Sequence, residues 1–259
     1  MSVLKRGLIV SCQATATEPL RDSEIIGRLA LAAQEGGAVG VRVNTYEDLV
    51  AVRKACDLPI LGLIKTTHEG YWPYITTTME DVDLVVKSGA ELVCIDATTY
   101  PRYDGHTFAE QYKMVREKYP NIEIVADVST VEEGLIADEL GCDYIATTLW
   151  GYTPDTDTHE DIIQEFRQPN VEIVRELASK CKHPIIAEGK ETETLYFKHF
   201  RSRNCLVDII PIPSKHKAAE HLVKHAKSLI SQADYYPKDG DQLWCVFDCD
   251  DNKDSELQS

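Results

Sequence analysis

The stretches DLPILGLIK (57–65) and KHPIIAEGK (182–190) decide the fold: each carries a short apolar run into a polar residue, Lys65 in the first and Glu188 in the second. Each also follows an amphipathic stretch that ends in cysteine, YEDLVAVRKAC (46–56) and VEIVRELASKC (171–181). The chain therefore repeats a helix-then-strand unit. Strands of a parallel sheet are covered by helices on their faces, so they read as near-continuous apolar runs rather than alternating ones. Working outward, the same reading predicts strands in GLIVSCQ (7–13), AVGVRVN (38–44), PILGLIK (59–65), ELVCIDAT (91–98), EIVADVS (123–129), YIATTLW (144–150), PIIAEGK (184–190) and VDIIPIP (207–213). Eight such units favour closure into a (β/α)8 TIM barrel, and no GxGxxG or GxxxxGK[ST] follows the first strand to announce a nucleotide-binding open sheet.

Local signals support the helices between them. Ser129 and Thr130 can cap an amino terminus, Glu132 and Glu133 fall in the first turn, and Gly141 can close the helix. FAEQYKMVREKYP (108–120) and HKAAEHLVKHAKSLIS (216–231) carry apolar residues at helical spacing. The expected organisation is one barrel domain over 1–235 and an acidic C-terminal tail over 236–259, in which LWCVF (243–247) is the one apolar cluster.

Bulk composition narrows the function classes. A formal net charge of −16 argues against a nucleic-acid partner or a polybasic membrane contact, because phosphate-rich surfaces repel it. No run approaches the roughly 18 apolar residues of a spanning helix, and a cytoplasmic protein is expected. The eight cysteines show no CxxC pair or regular framework, which reads as free, buried thiols in a reducing compartment. CVFDC (245–249) lacks a second pair of ligands beside it, so no metal site is expected there.

A barrel of this kind builds its site from the carboxyl ends of its strands. The polar residues there are Gln13, Arg42, Asn44, Lys65, Asp96, Asp127, Thr147, Thr148, Glu188 and Lys190, with no histidine among them to hold a catalytic metal. A lysine facing a packed barrel mouth loses solvation, which lowers its pKa toward neutrality and fits it for proton transfer, with Glu188 as its opposite number. The alternative is an ion pair that only closes the barrel end. Arg42 can fork onto a substrate hydroxyl, carboxylate or phosphate, or form a salt bridge to Asp96 or another carboxylate at the mouth. Gln13, Asp127 and the pair Thr147–Thr148 are either substrate ligands or members of a buried polar network. Tyr100, Arg102 and Asp104 sit in a loop that can reach a ligand, and the aromatic stretch HEGYWPYITTT (68–78) is a lid or a cap.

Taken together, GLIVSCQA, GGAVGVRVN, PILGLIK, YITTTMEDVD, IDATTYPRYDG, ADVSTVEEGL, ATTLWGYTP and PIIAEGK resemble the bacterial-type N-acylglucosamine-6-phosphate 2-epimerases, also called N-acetylmannosamine-6-phosphate 2-epimerases. The resemblance covers residues 5 to 190, about seven units of the barrel. It implies a metal-independent (β/α)8 enzyme without cofactor that interconverts the 6-phosphates of N-acetylmannosamine and N-acetylglucosamine in amino-sugar and sialic-acid breakdown. It also implies a homodimer. By motif, the family's catalytic lysine matches Lys65 and its catalytic glutamate matches Glu188, while Gln13, Arg42 and Asp127 match substrate-contact positions. The pattern departs after Lys190: the family's glycine-rich phosphate turn is missing, and no glycine occurs between Gly189 and Gly240. Ser214, Lys215, His216 and Lys217 would have to supply the phosphate grip, with Lys215 as the candidate contact. Two readings follow, an active epimerase and a catalytically impaired barrel that serves as a sugar-binding or interaction module.

Overall fold

In the computed structural model, residues 3–14, 18, 20–156 and 171–187 are described, and they build seven parallel strands in chain order. Strands β1 (Ile9–Cys12), β2 (Gly40–Asn44), β3 (Ile60–Leu63), β4 (Leu92–Asp96), β5 (Glu123–Asp127), β6 (Tyr144–Ala146) and β7 (Ile185–Ile186) each pair with the next. Helices α1 (Ser23–Glu35), α2 (Tyr46–Ala55), α3 (Met79–Lys87), α4 (Phe108–Lys118), α5 (Val131–Leu140) and α6 (Val171–Lys180) intervene. This is the order of a (β/α)8 barrel, in which each strand returns to its neighbour through a helix. The expected eighth strand at 207–213 and the proposed tail at 236–259 lie outside the described residues. The chain divides between Gly189 and Lys190, and all described residues belong to the first unit.

Two apolar layers hold the sheet. The outer one lies between sheet and helices, with Ile26 and Ala30 of α1, Leu49 and Val52 of α2 and Val82 and Val85 of α3 against Val41, Val43, Ile60, Val93 and Ile124. The inner one gathers Leu61, Leu63, Leu92, Cys94, Val125, Tyr144 and Ala146, and both Ile9 of β1 and Ile186 of β7 pack against it. First and seventh strands can share one inner cluster only if the sheet curls back on itself. The period-two alternation of strands assigns the two layers: Leu61 and Leu63 point in, Ile60 and Gly62 out.

The helix starts read from sequence are present. Thr130 accepts from the Glu133 amide while the Glu133 carboxylate accepts from Thr130, a reciprocal box that recurs at Thr78–Asp81 and Thr107–Glu110. Gly141 ends α5 at φ 91°, where a side chain would be strained. The strands are shorter than expected. In YIATTLW the strand stops at Ala146 because the Leu149 amide donates to Val128 O and Trp150 donates back to Thr147 O, which turns the chain over the barrel end. No helix among the described residues is long and apolar enough to cross a membrane. Four of the described cysteines are buried and Cys181 is half-buried, all of them free. Cys205, Cys245 and Cys249 lie outside the described residues.

Gly62 shows how close the outer layer is. A Cβ there would lie 2.7 Å from Val85 Cγ1 and 3.1 Å from both Ala90 Cβ and Leu49 Cδ2. Gly62→Ala should therefore push α2 and α3 off the sheet and cost about 1–3 kcal/mol, read as a fall in the urea midpoint at unchanged m-value.

Candidate active site

Alternation carries one polar residue after another to the carboxyl end of the barrel interior. On β2, Arg42 and Asn44 share the inner face; on β4, Asp96 follows Leu92 and Cys94; on β5, Asp127 follows Val125. Beyond β1, Gln13 Nε2 donates to Ser11 Oγ at 2.9 Å, as expected of two residues on one face. Gln13 Oε1 is buried and has no hydrogen-bond partner among the described residues.

The centre of this end is an ion pair. Arg42 forks onto Asp127, Nη1 to Oδ1 at 3.0 Å and Nη2 to Oδ2 at 2.7 Å, and Nη1 also donates to Cys94 Sγ at 3.3 Å. Asp127 is fully buried and the Arg42 side chain is 12 % exposed. Of the partners considered for Arg42, the carboxylate is thus Asp127 and not Asp96. Burial pushes the Cys94 thiol up to about 12, so it stays protonated at neutral pH. Tyr74 arrives from the β3–α3 segment, and burial together with the charges of Asp127 and Asp96 pushes its hydroxyl above the ordinary range. Asp96 accepts from Thr98 Oγ1 at 2.6 Å, from the Thr98 amide at 3.1 Å and from the Tyr74 amide at 3.2 Å. Burial still raises its pKa above the usual carboxylate value. Among the described residues no three His, Cys, Asp or Glu side chains converge as metal ligands.

Lys65 stands on the rim rather than inside. The sequence suggested a desolvated lysine, but the side chain is exposed. The reason is register: the β3–β4 ladder ends at Gly62–Val93 and β3 itself at Leu63, so Lys65 lies past the packed interior. Its backbone is held on both sides. Asn44 Oδ1 accepts from the Lys65 amide at 2.9 Å, and Lys65 forms an antiparallel bridge with Ile75. The Asp96 amide donates to Ile75 O at 2.9 Å, so Ile75 is wedged between the splayed ends of β3 and β4. Thr147 is buried and Thr148 half-buried. Glu188 and Lys215 lie outside the described residues.

Of the loop residues, Arg102 differs from expectation. Arg102 is 3 % exposed and turned inward, donating to Gln111 Oε1 and to Asp96 O, so it supports the β4–α4 turn from below. Tyr100 is tied to Asp155 at 2.6 Å, and Asp104 accepts from the His106 amide at 3.0 Å. His68 stacks on Tyr103 at 4.0 Å, with Tyr71 and Trp72 exposed beside them, which makes the aromatic stretch an outer rim over the mouth. Tyr74 and the role of Asn44 were not found from sequence. The signal for Tyr74 is the antiparallel return of 74–76 on 64–66, which helix-strand periodicity does not register, and that for Asn44 is its place at the last pair of the β2–β3 ladder.

Arg42→Ala should leave the Asp127 charge buried without its partner and cost about 3–5 kcal/mol in urea unfolding. Adding Asp127→Ala should recover part of that loss, and strictly additive single and double variants would show that the two groups do not interact.

Comparison with known proteins agrees with this fold. The profile of the family NanE, described as "Putative N-acetylmannosamine-6-phosphate epimerase", matches residues 26–207. A second profile, "RloB-like protein", matches residues 184–259 and so overlaps the end of the first. A "Putative N-acetylmannosamine-6-phosphate 2-epimerase" of Caldanaerobacter subterraneus is 49 % identical over 187 residues, covering 72 % of this chain and 76 % of the relative. A protein of the same description from Staphylococcus haemolyticus is 46 % identical over 187 residues, 72 % and 81 % of the two chains. The solved N-acetylmannosamine-6-phosphate 2-epimerase of Clostridium perfringens superposes with a TM-score of 0.68 at 36 % identity, over 76 % of this chain and 82 % of that one. The aldolase QR15, 20 % identical with a TM-score of 0.50, shares the fold. With a family profile covering most of its length and close relatives of one description, the chain belongs to the N-acetylmannosamine-6-phosphate 2-epimerase family.

Proposed function

We propose that this chain interconverts N-acetylmannosamine 6-phosphate and N-acetylglucosamine 6-phosphate by removing and returning the proton at C2. The observation that carries the reading is the convergence of Gln13, Arg42, Asp127 and Lys65 on one barrel end in a chain 49 % identical to a relative of that description. In the open-chain sugar, C2 lies next to the C1 aldehyde, so its proton is acidic enough for a side-chain base. Loss of that proton gives an enolate, and its return on the opposite face inverts C2. Lys65 acts as base and then as acid at C2; Glu188 assists ring opening or stabilises the enolate oxygen.

Gln13 and Arg42 orient the sugar. Gln13 Oε1, buried and without a described partner, suits a sugar hydroxyl or an acetamido N–H, since an unpaired buried acceptor is costly until it is bonded. Arg42 offers a guanidinium already fixed by Asp127, which removes the cost of ordering it when substrate enters. Thr148 is the remaining candidate ligand on the rim. No metal or cofactor enters these steps. For the phosphate, Lys215 stands on its charge alone: it falls in the segment matched by the RloB-like profile, beyond the division at Gly189.

Lys65→Ala should lower kcat for interconversion by about 10²–10⁴-fold, the usual contribution of a positioned acid-base group. Because the Lys65 side chain is exposed, Tm should hold. Undiminished turnover in this variant would remove Lys65 from the chemistry, and a native chain inactive in both directions would favour the impaired barrel.

A further inference from the structure

Two threonines near the barrel mouth hold backbone angles that β-branched residues avoid, and both flank the support of Lys65. Thr45 has φ 69° and ψ 146°, a region entered readily only by glycine, and Thr76 has φ 49°. Such conformations persist where the surroundings over-determine them. Here Thr76 is held by two bonds to Ile64 and one from Gln111, and beside Thr45 the Asn44 side chain bonds the Lys65 amide.

On one flank, β2 ends its ladder at Asn44, opposite Leu63, and the chain turns into α2 at Thr45. The sheet would next offer a β2 carbonyl to Lys65. The Asn44 side chain takes that place, with Oδ1 2.9 Å from the Lys65 amide. On the other flank, Thr76 donates its amide to Ile64 O at 2.7 Å and accepts from the Ile64 amide through Oγ1 at 3.1 Å. Thr66 N donates to Tyr74 O at 2.9 Å. Thr76 and Gln111 are both fully buried, and Gln111 Nε2 holds Thr76 O at 3.0 Å. Lys65 lies past the packed interior, so these bonds, not core contacts, fix where its side chain starts.

We infer that Asn44 is a positioning residue for Lys65: its side-chain carbonyl extends the β2–β3 ladder by one bond and sets the point from which the ammonium reaches the substrate. This rests on the reading of Lys65 as the group that moves the C2 proton. A displacement of about 1 Å at a reacting group can cost on the order of a hundredfold in rate. Asn44 need not touch the substrate, so substrate binding should be nearly unaffected.

The test uses the full chain with N-acetylmannosamine 6-phosphate. Asn44→Ala should lower kcat about 10- to 100-fold with KM changed less than about threefold. Asn44→Asp, which keeps an acceptor oxygen at the same distance, should recover most of the lost kcat. Amide hydrogen exchange by mass spectrometry supplies an arm that needs no turnover: the peptide carrying Lys65 should lose protection in Asn44→Ala and regain it in Asn44→Asp, while peptides from β4 and β5 hold theirs. Unchanged protection at Lys65, or a kcat within twofold of the native value, would overturn the inference. Restored protection without restored turnover would overturn it too, since ordering the amide would then not serve the reaction. A native chain that does not interconvert the sugars, yet shows the expected exchange pattern, would locate the failure in the epimerase reading and leave Asn44 with a structural role only.

Discussion

The structure depends on one constraint: a parallel sheet covered by helices outside and curled on itself inside has no face left for water, so alternate residues of every strand belong to different cores. Leu61, Leu92, Val125 and Tyr144 fill the inner core because Ile60, Val93, Ile124 and Ile145 fill the outer one. Once that parity is set, the next inward positions along the strands are also set, and they are Arg42, Asp96 and Asp127. The apolar inner cluster thus forms the floor on which the polar end rests. It also explains why Arg42 must meet Asp127: neither charge can be buried alone, and both point inward at the same end of the strands.

Above that floor the mouth is kept open by a local break in the sheet. The β3–β4 ladder stops two residue pairs from its start, and Ile75 enters the gap, bridging to Lys65 on one side and accepting from the Asp96 amide on the other. The same insertion brings Tyr74 beside Arg42 and Asp127 and lifts the aromatic residues from 68 to 72 onto the rim. Backbone strain at Thr76 accompanies the turn, and its hydroxyl and amide are both bonded to Ile64. Arg102, read from sequence as a loop residue within reach of a ligand, instead closes this region by holding Gln111, which in turn holds Thr76 O.

The pattern of residues carried the fold furthest where a signal is local. Apolar runs located seven strands, and Thr130, Glu133 and Gly141 marked both ends of α5 because capping and a left-handed turn each depend on one side chain. Motif order within residues 5 to 190 led to the family. What periodicity missed are contacts between distant parts: Arg42 with Asp127, Ile75 between two strands, and the burial of Arg102. Lys65 was placed at a strand end by position, but its exposure follows from where the ladder ends, which no run of residues displays. The divergence after Lys190 coincides with a match to a different family and with a division of the chain at Gly189. Glu188 lies at that junction, and Lys215 lies beyond it.

The proton at C2 tests the central claim most directly. Incubating the native chain with N-acetylmannosamine 6-phosphate in deuterium oxide and following C2 by proton NMR should show the C2 signal of the product sugar lost to deuterium at the rate of interconversion, since the proton passes through a solvent-exposed side chain. Interconversion that retains the original hydrogen at C2 in every turnover would contradict the account.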